Sequence, residues 1–158
     1  MPPDTIERPA NELTLDRHLA APRAALWRCW TEPALIERWF TPAPWTTHDV
    51  SMDLRAGGAF SMTMKGPEGE AHANAGVLLE VVPGALLVFT DAYLRAWEPS
   101  AKAFFTGIIR FEDEGAGTRY LAKARHWTAE DCAQHEAMGF HEGWGKAADQ
   151  LEALAQSL

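Results

Sequence analysis

The feature that most restricts the fold is a change of rhythm at residue 128. Before it, short apolar–polar alternations follow one another with hairpin-length turns between them; after it, the chain runs to Leu158 without a proline. Alternation with period two marks half-buried strands, and strands joined by such short turns pair antiparallel. An antiparallel sheet of this kind leaves one apolar face to be covered. Only the C-terminal segment is long enough to cover it. Thr128-Ala-Glu-Asp131 reads as a capping box that opens a helix. Ala133, Ala137, Phe140, Trp144, Ala148, Leu151, Ala155 and Leu158 then fall on one stripe of a 3.6-residue wheel. The expectation is a helix over about 129–157, with no interruption larger than a kink near Gly143.

The strand runs can be placed individually. Leu13 to Leu19 alternates, and Pro22 then suits the first turn of a helix carrying Leu26, Trp27 and Trp30. Pro33 opens a second short helix with Leu35, Ile36, Trp39 and Phe40, ended by Pro42 and Pro44. Val50–Leu54, Phe60–Met64, Ala73–Val81, Leu86–Leu94, Phe105–Phe111 and Thr118–Trp127 follow as strands. Within the third of these, Ala73, Ala75, Val77, Leu79 and Val81 share a face opposite Glu80. Leu86–Leu94 is nearly all apolar, so its facing stays open. In Thr118–Trp127, Lys123 and Arg125 point outward, and Tyr120, Ala122, Ala124 and His126 inward. The fold expected is α+β: a curved antiparallel sheet of about seven strands around a long C-terminal helix, with two short helices after strand 1.

Length and composition narrow the class. One hundred and fifty-eight residues fit a single domain, taken as 12–158 behind a flexible tail at 1–11 that holds three prolines. Twenty-two acids against fourteen bases give a net charge of −8, which excludes generic nucleic-acid binding. The longest apolar run, near Val77–Val82, is broken by Glu80 and is far too short for membrane insertion. Two cysteines are too few for a disulfide framework, and Met1-Pro-Pro-Asp-Thr5 has no signal-peptide pattern, so a cytoplasmic location is expected. Seven tryptophans against two tyrosines suggest a thick core or an aromatic-lined hole.

Motifs for chemistry are mostly missing. His135-Glu-Ala-Met-Gly139 lacks the second histidine of a zinc-binding HExxH helix, and Cys132 with His135 makes only two ligands, so no metal site is expected. There is no GxSxG elbow and no phosphate-binding GxxxxGK[ST] loop. Asp91, His126 and His141 are candidate acid–base groups. The inward faces mix large residues (Phe60, Met62, Met64, Phe105, Phe111, Trp144) with small ones (Ala73, Ala75, Gly107, Ala122, Ala124, Ala137), which leaves room for a hole. An apolar pocket is therefore expected between Trp39, Phe60, Met62, Met64, Phe105, His126, Phe140 and His141, with the two histidines as its polar fixtures.

An ordered set of segments carries a family resemblance. Arg17-His-Leu-Ala-Ala-Pro22, Leu26-Trp27, Thr31-Glu-Pro33 and Arg38-Trp39-Phe40 open it. Asp53-Leu-Arg-Ala-Gly-Gly58, Glu80-Val-Val-Pro83, Leu87-Val-Phe-Thr90, Gly117-Thr-Arg119 and Met138-Gly-Phe-His-Glu-Gly-Trp144 continue it. Over about residues 12–158 the chain resembles the START-like (SRPBCC) superfamily, in the branch of homologues of the activator of the heat-shock-protein-90 ATPase. The resemblance implies a helix-grip fold and a cavity between sheet and last helix, used by superfamily members for apolar molecules. The expected function is non-enzymatic binding of a small apolar molecule, without a cofactor. The alternatives are a cyclase- or dehydratase-type enzyme using His126 or Asp91 in the same cavity, and a chaperone-interaction module. A homodimer is one assembly open to such a chain.

Overall fold

The computed structural model describes residues 10–158, so most of the expected tail, residues 1–9, lies outside the described residues. Asn11 already belongs to the fold: its amide donates to the carbonyl of His126 (2.7 Å), and its own carbonyl accepts from His126 N–H (2.8 Å).

The first strand, β1 (Glu12–Leu19), leads into two short helices, α1 (Arg23–Thr31) and α2 (Pro33–Ile36). Proline sets both starts: Pro22 is the residue before α1, and Pro33 is the first residue of α2. Then come β2 (Thr46–Met52), β3 (Ala59–Lys65), β4 (Ala71–Val82), β5 (Leu86–Thr90), β8 (Thr106–Glu114) and β9 (Gly117–Arg125), with a small separate hairpin, β6 (Tyr93–Arg95) and β7 (Glu98–Pro99), between β5 and β8. Seven strands form one sheet in the order β1-β9-β8-β5-β4-β3-β2, and every pairing is antiparallel. The architecture is the expected one.

The inner face of the sheet and the helices enclose the core. Leu19, Leu26, Ile36, Leu78, Leu87, Ile109 and Ala122 are wholly buried there, with Trp30, Trp39, Phe111 and Leu151. The facing of the Leu86–Leu94 run is settled: Leu87 and Phe89 stand in the core opposite Ile109 and Gly107, and the strand stops at Thr90. The remainder of that run forms the outer hairpin, whose tip carries Trp97 with 81% of its surface exposed.

Two expectations are corrected. First, β4 shows the opposite face to the core. Cross-strand partners share a face, and Phe60, Met62 and Met64 lie opposite Gly76, Asn74 and His72. His72, Asn74, Gly76 and Leu78 therefore face inward, while Ala73 and Ala75 are exposed and Leu79 is 44% exposed. A register shift between Leu78 and Glu80 inserts one residue, which returns Val81 to the core side opposite Leu87. One bulge inverts a period-two reading on one side of it.

Second, the C-terminal helix is two helices. Gly139 has φ of 99°, a left-handed conformation open to glycine at little cost, and it separates α3 (Ala129–Ala137) from α4 (Phe140–Gln156). The interruption is at Gly139 rather than a kink at Gly143. It also changes the phase of the stripe. In α3, Cys132 and His135 are the buried residues and Ala133 and Ala137 are exposed; in α4, Phe140, Ala147, Ala148, Leu151, Leu154 and Ala155 are buried. Leu158 is 47% exposed. The cap at Thr128 is as expected, its hydroxyl accepting from Asp131 N–H at 3.0 Å.

Candidate functional site

The sheet is not filled to its end. β3 and β4 project past the end of β5, whose last residue, Thr90, pairs with Val77. Phe60, Met62 and Met64 of β3, with Asn74 and Gly76 of β4, form the floor of a cleft of about 110 Å³. Phe89, Thr90 and Asp91 border it at the end of β5, Phe40 closes it from the segment after α2, and Phe104 and Phe105 close the far side. Five rings run along it in edge-to-face succession: Phe40–Phe60 (6.2 Å between centroids), Phe60–Phe89 (5.6 Å), Phe89–Phe105 (6.0 Å) and Phe105–Phe104 (5.6 Å). That geometry is favourable for aromatic pairs and fixes each ring by its neighbour.

Asp91 supplies the cleft's one formal charge. Its Oδ1 accepts from the backbone N–H of Phe104 (2.8 Å) and of Phe105 (3.2 Å), and Oδ2 accepts from Phe104 N–H at 3.0 Å. Burial pushes this carboxyl above the usual carboxylate range, against the lowering effect of those N–H groups and of His126.

Phe104 links Asp91 to a histidine pair behind the cleft wall. The Phe104 carbonyl lies 2.9 Å from His126 Nδ1, and His126 Nε2 lies 2.9 Å from His135 Nδ1. A carbonyl only accepts, so His126 carries its proton on Nδ1. In its neutral form His126 then accepts at Nε2, and His135 must donate from its own Nδ1. Burial, reinforced by the neighbouring His126, lowers the pKa of His135 from 6.5 to about 4, so His135 is neutral at pH 7. His135 also packs on Phe104 (4.8 Å), Phe140 (5.3 Å) and Trp144 (6.0 Å), which joins α3 and α4 to the back of the wall.

The eight residues expected to line one pocket separate into three groups. Phe60, Met62, Met64 and Phe105 line the cleft. Trp39, His126 and Phe140 are buried beside it and support it: Trp39 donates from Nε1 to Cys29 O (2.8 Å) and packs on Phe40 (5.5 Å), while Phe140 packs on Trp144 (4.6 Å). His141 is on the outside. It is exposed and paired with Glu136 at 2.9 Å, because the turn at Gly139 rotates the start of α4 away from the continuous-helix phase. Ala137, expected on the inner stripe, is likewise on the surface.

Sequence reasoning did not assign Phe40, Phe89, Phe104, Asn74 or Thr90 to the pocket. The adjacent Phe104-Phe105 pair was the available signal, since one of two neighbouring aromatics before a strand has to find cover off the sheet. Among the described residues, no group of three or more His, Cys, Asp or Glu side chains could hold a metal ion.

The comparisons with known proteins bear on this arrangement. Residues 20–156 match the family described as "Activator of Hsp90 ATPase homolog 1-like protein". The chain belongs to that family. This AHSA1-like chain is similar to protein NE0264 from Nitrosomonas europaea, at 41% identity and a TM-score of 0.92, over 95% of this chain and 97% of that one. It is similar to protein Ms6760 from Mycobacterium smegmatis, at 28% identity and a TM-score of 0.77, over 92% and 90%. The AHSA1-like protein from Aeromonas hydrophila shares the fold, with a TM-score of 0.71 at 21% identity over 92% of each chain. No curated protein matches. Membership of the AHSA1-like family and the helix-grip architecture together place the chain in the START-like superfamily. No helix among the described residues is long and apolar enough to cross a membrane.

Proposed function

We propose that this AHSA1-like domain binds a small, mainly apolar molecule in the cleft at the open end of its sheet and performs no chemistry on it. The supporting observation is the cleft itself, a concavity of about 110 Å³ walled by five phenylalanines and two methionines with few polar groups. An engineered apolar cavity of ~150 Å³ accommodates a benzene ring, so the natural occupant has about one ring's bulk. Burying ~150 Å² of apolar ligand surface gains about 4 kcal/mol before association costs, which sets the expected dissociation constant near or above a millimolar for a purely apolar probe.

The absence of an activated nucleophile favours binding over catalysis. Both thiols are buried, and burial raises each, that of Cys29 to about 11, so neither is a thiolate at neutral pH. Asp91 already accepts two backbone N–H groups, which holds the Phe104–Phe105 wall in place.

Asn74→Trp tests the reading. Asn74 is exposed at the cleft mouth on the inner face of β4, and a β-sheet tolerates an aromatic residue there. The variant should keep the wild-type circular dichroism spectrum and lose saturable binding of single-ring compounds measured by calorimetry. Equal binding by both proteins would remove this cleft as the site.

A further inference from the structure

We propose that the molecule this cleft selects is a small organic cation, an ammonium group on a compact apolar body. The proposal rests on the binding reading above and narrows it to one charge class.

The argument begins with Asp91. Among the described residues it makes no ion pair with any lysine, arginine or histidine, and no basic side chain lines the cleft. An ionised carboxylate offers about four acceptor positions. The N–H groups of Phe104 and Phe105 make three contacts with it, two on Oδ1 and one on Oδ2, and Asp91 itself borders the cleft. A neutral apolar occupant would seal that charge from water and give nothing in return, which is unfavourable. An anion would be repelled. A cation with an apolar body restores what burial removes.

The rest of the lining suits the same guest. Phenyl faces carry negative potential and attract a cation within about 6 Å of the ring centre, most strongly where water is excluded. Phe40, Phe60, Phe89, Phe104 and Phe105 line the same cleft as Asp91. The thioethers of Met62 and Met64 are polarisable and adapt to the guest's shape. The chain's net charge of −8 adds a long-range field that concentrates cations near the molecule.

The experiment compares benzylammonium, benzyl alcohol and benzoate by calorimetry with the full chain at low ionic strength. Benzylammonium should bind about ten-fold more tightly than benzyl alcohol, and benzoate most weakly. Asp91→Asn keeps a carbonyl oxygen for the Phe104 N–H and should abolish the preference, so that benzylammonium and benzyl alcohol bind the variant equally. If that variant fails to fold, the wild-type protein gives the same information by titration from neutral pH toward acid, since burial moves Asp91 above the usual carboxylate range. Protonation of Asp91 should then weaken benzylammonium and spare the alcohol. Two histidines lie on the same side: His126 behind Phe104, and His72, which lies opposite Met64 and stacks on Trp45 at 5.9 Å. His72→Gln should retain the pH dependence if Asp91 carries it.

Equal binding of ammonium and alcohol, or tighter binding of benzoate, overturns the proposal and leaves the cleft as a neutral apolar site. A cation preference that survives Asp91→Asn also overturns it. If none of the three compounds binds, the binding reading and this proposal fall together.

Discussion

His135 couples stability to pH on the acid side. Its pKa is about 4 in the fold against 6.5 when exposed, so folding favours its neutral form. The unfolded chain therefore binds the extra proton between those values. The stabilisation is complete above about pH 6.5 and is lost as pH falls toward 4, at most about 3 kcal/mol in all. Asp91, raised by burial, works in the opposite direction, because its protonation in acid relieves a buried charge. Denaturant midpoints measured across this range should fall toward acid in the wild type and flatten in His135→Gln. A wild-type slope retained by the variant would assign the effect elsewhere. Trp144 makes a second prediction. It is half-buried and joins Phe105 (5.7 Å) to Phe140 (4.6 Å), so Trp144→Ala should cost about 2–3 kcal/mol, below the range for a fully buried aromatic. An unchanged unfolding midpoint would show that the contact contributes nothing. Of these residues, His126 was legible, because strict alternation from Tyr120 carries it inward. His141 was not, since its facing depended on a helix phase that local periodicity could not guarantee across a glycine.

At the level of elements, the turn at Gly139 and the bulge after Leu78 decide which residues meet. Both are insertions into an otherwise regular period, and each reverses an inward–outward assignment made from the uninterrupted pattern. The glycine was visible, but its effect was not, because a glycine weakens a helix without fixing where the next one starts. Gly139→Ala tests its role. A Cβ there would meet nothing within 4 Å, so its cost is the left-handed backbone alone, about 1–2 kcal/mol. Thermal unfolding should shift down accordingly. A stabilised variant would mean that α3 and α4 prefer to be continuous. The strands themselves were legible, since seven strand-like runs, all but Leu86–Leu94 alternating, admit few arrangements besides one antiparallel sheet. The outer β6–β7 hairpin was hidden inside a run of apolar residues that looked like a longer strand.

For the molecule as a whole, the two edge strands end the sheet in different ways. β1 carries Glu12, Asp16 and His18 along its length, and β2 is distorted between His48 and Ser51, where Asp49 has φ of 55°. Charge on one edge and distortion on the other both discourage strand-by-strand addition of a second chain. The cleft was the least legible feature at this scale. Its floor could be read from Phe60, Met62 and Met64, but its far wall depends on Phe104 and Phe105 being tied to Asp91, 13 and 14 residues earlier in the chain.

The strand order has a consequence in time. β1 pairs with β9 alone in the sheet, and the ion pair between Glu12 and Arg125 spans 113 residues. On the ribosome the first strand is made early and has no partner until the ninth has emerged, whereas the β3–β4 hairpin can close while synthesis continues. Pairing at long sequence separation is also the slow part of refolding, because the loop must close before the contacts form. Pulsed hydrogen exchange during refolding should therefore protect the amides of β3 and β4 before those of β1. Protection of β1 in the earliest phase would contradict this order. Until β9 arrives, the newborn chain holds a sticky strand that only its own far end can satisfy.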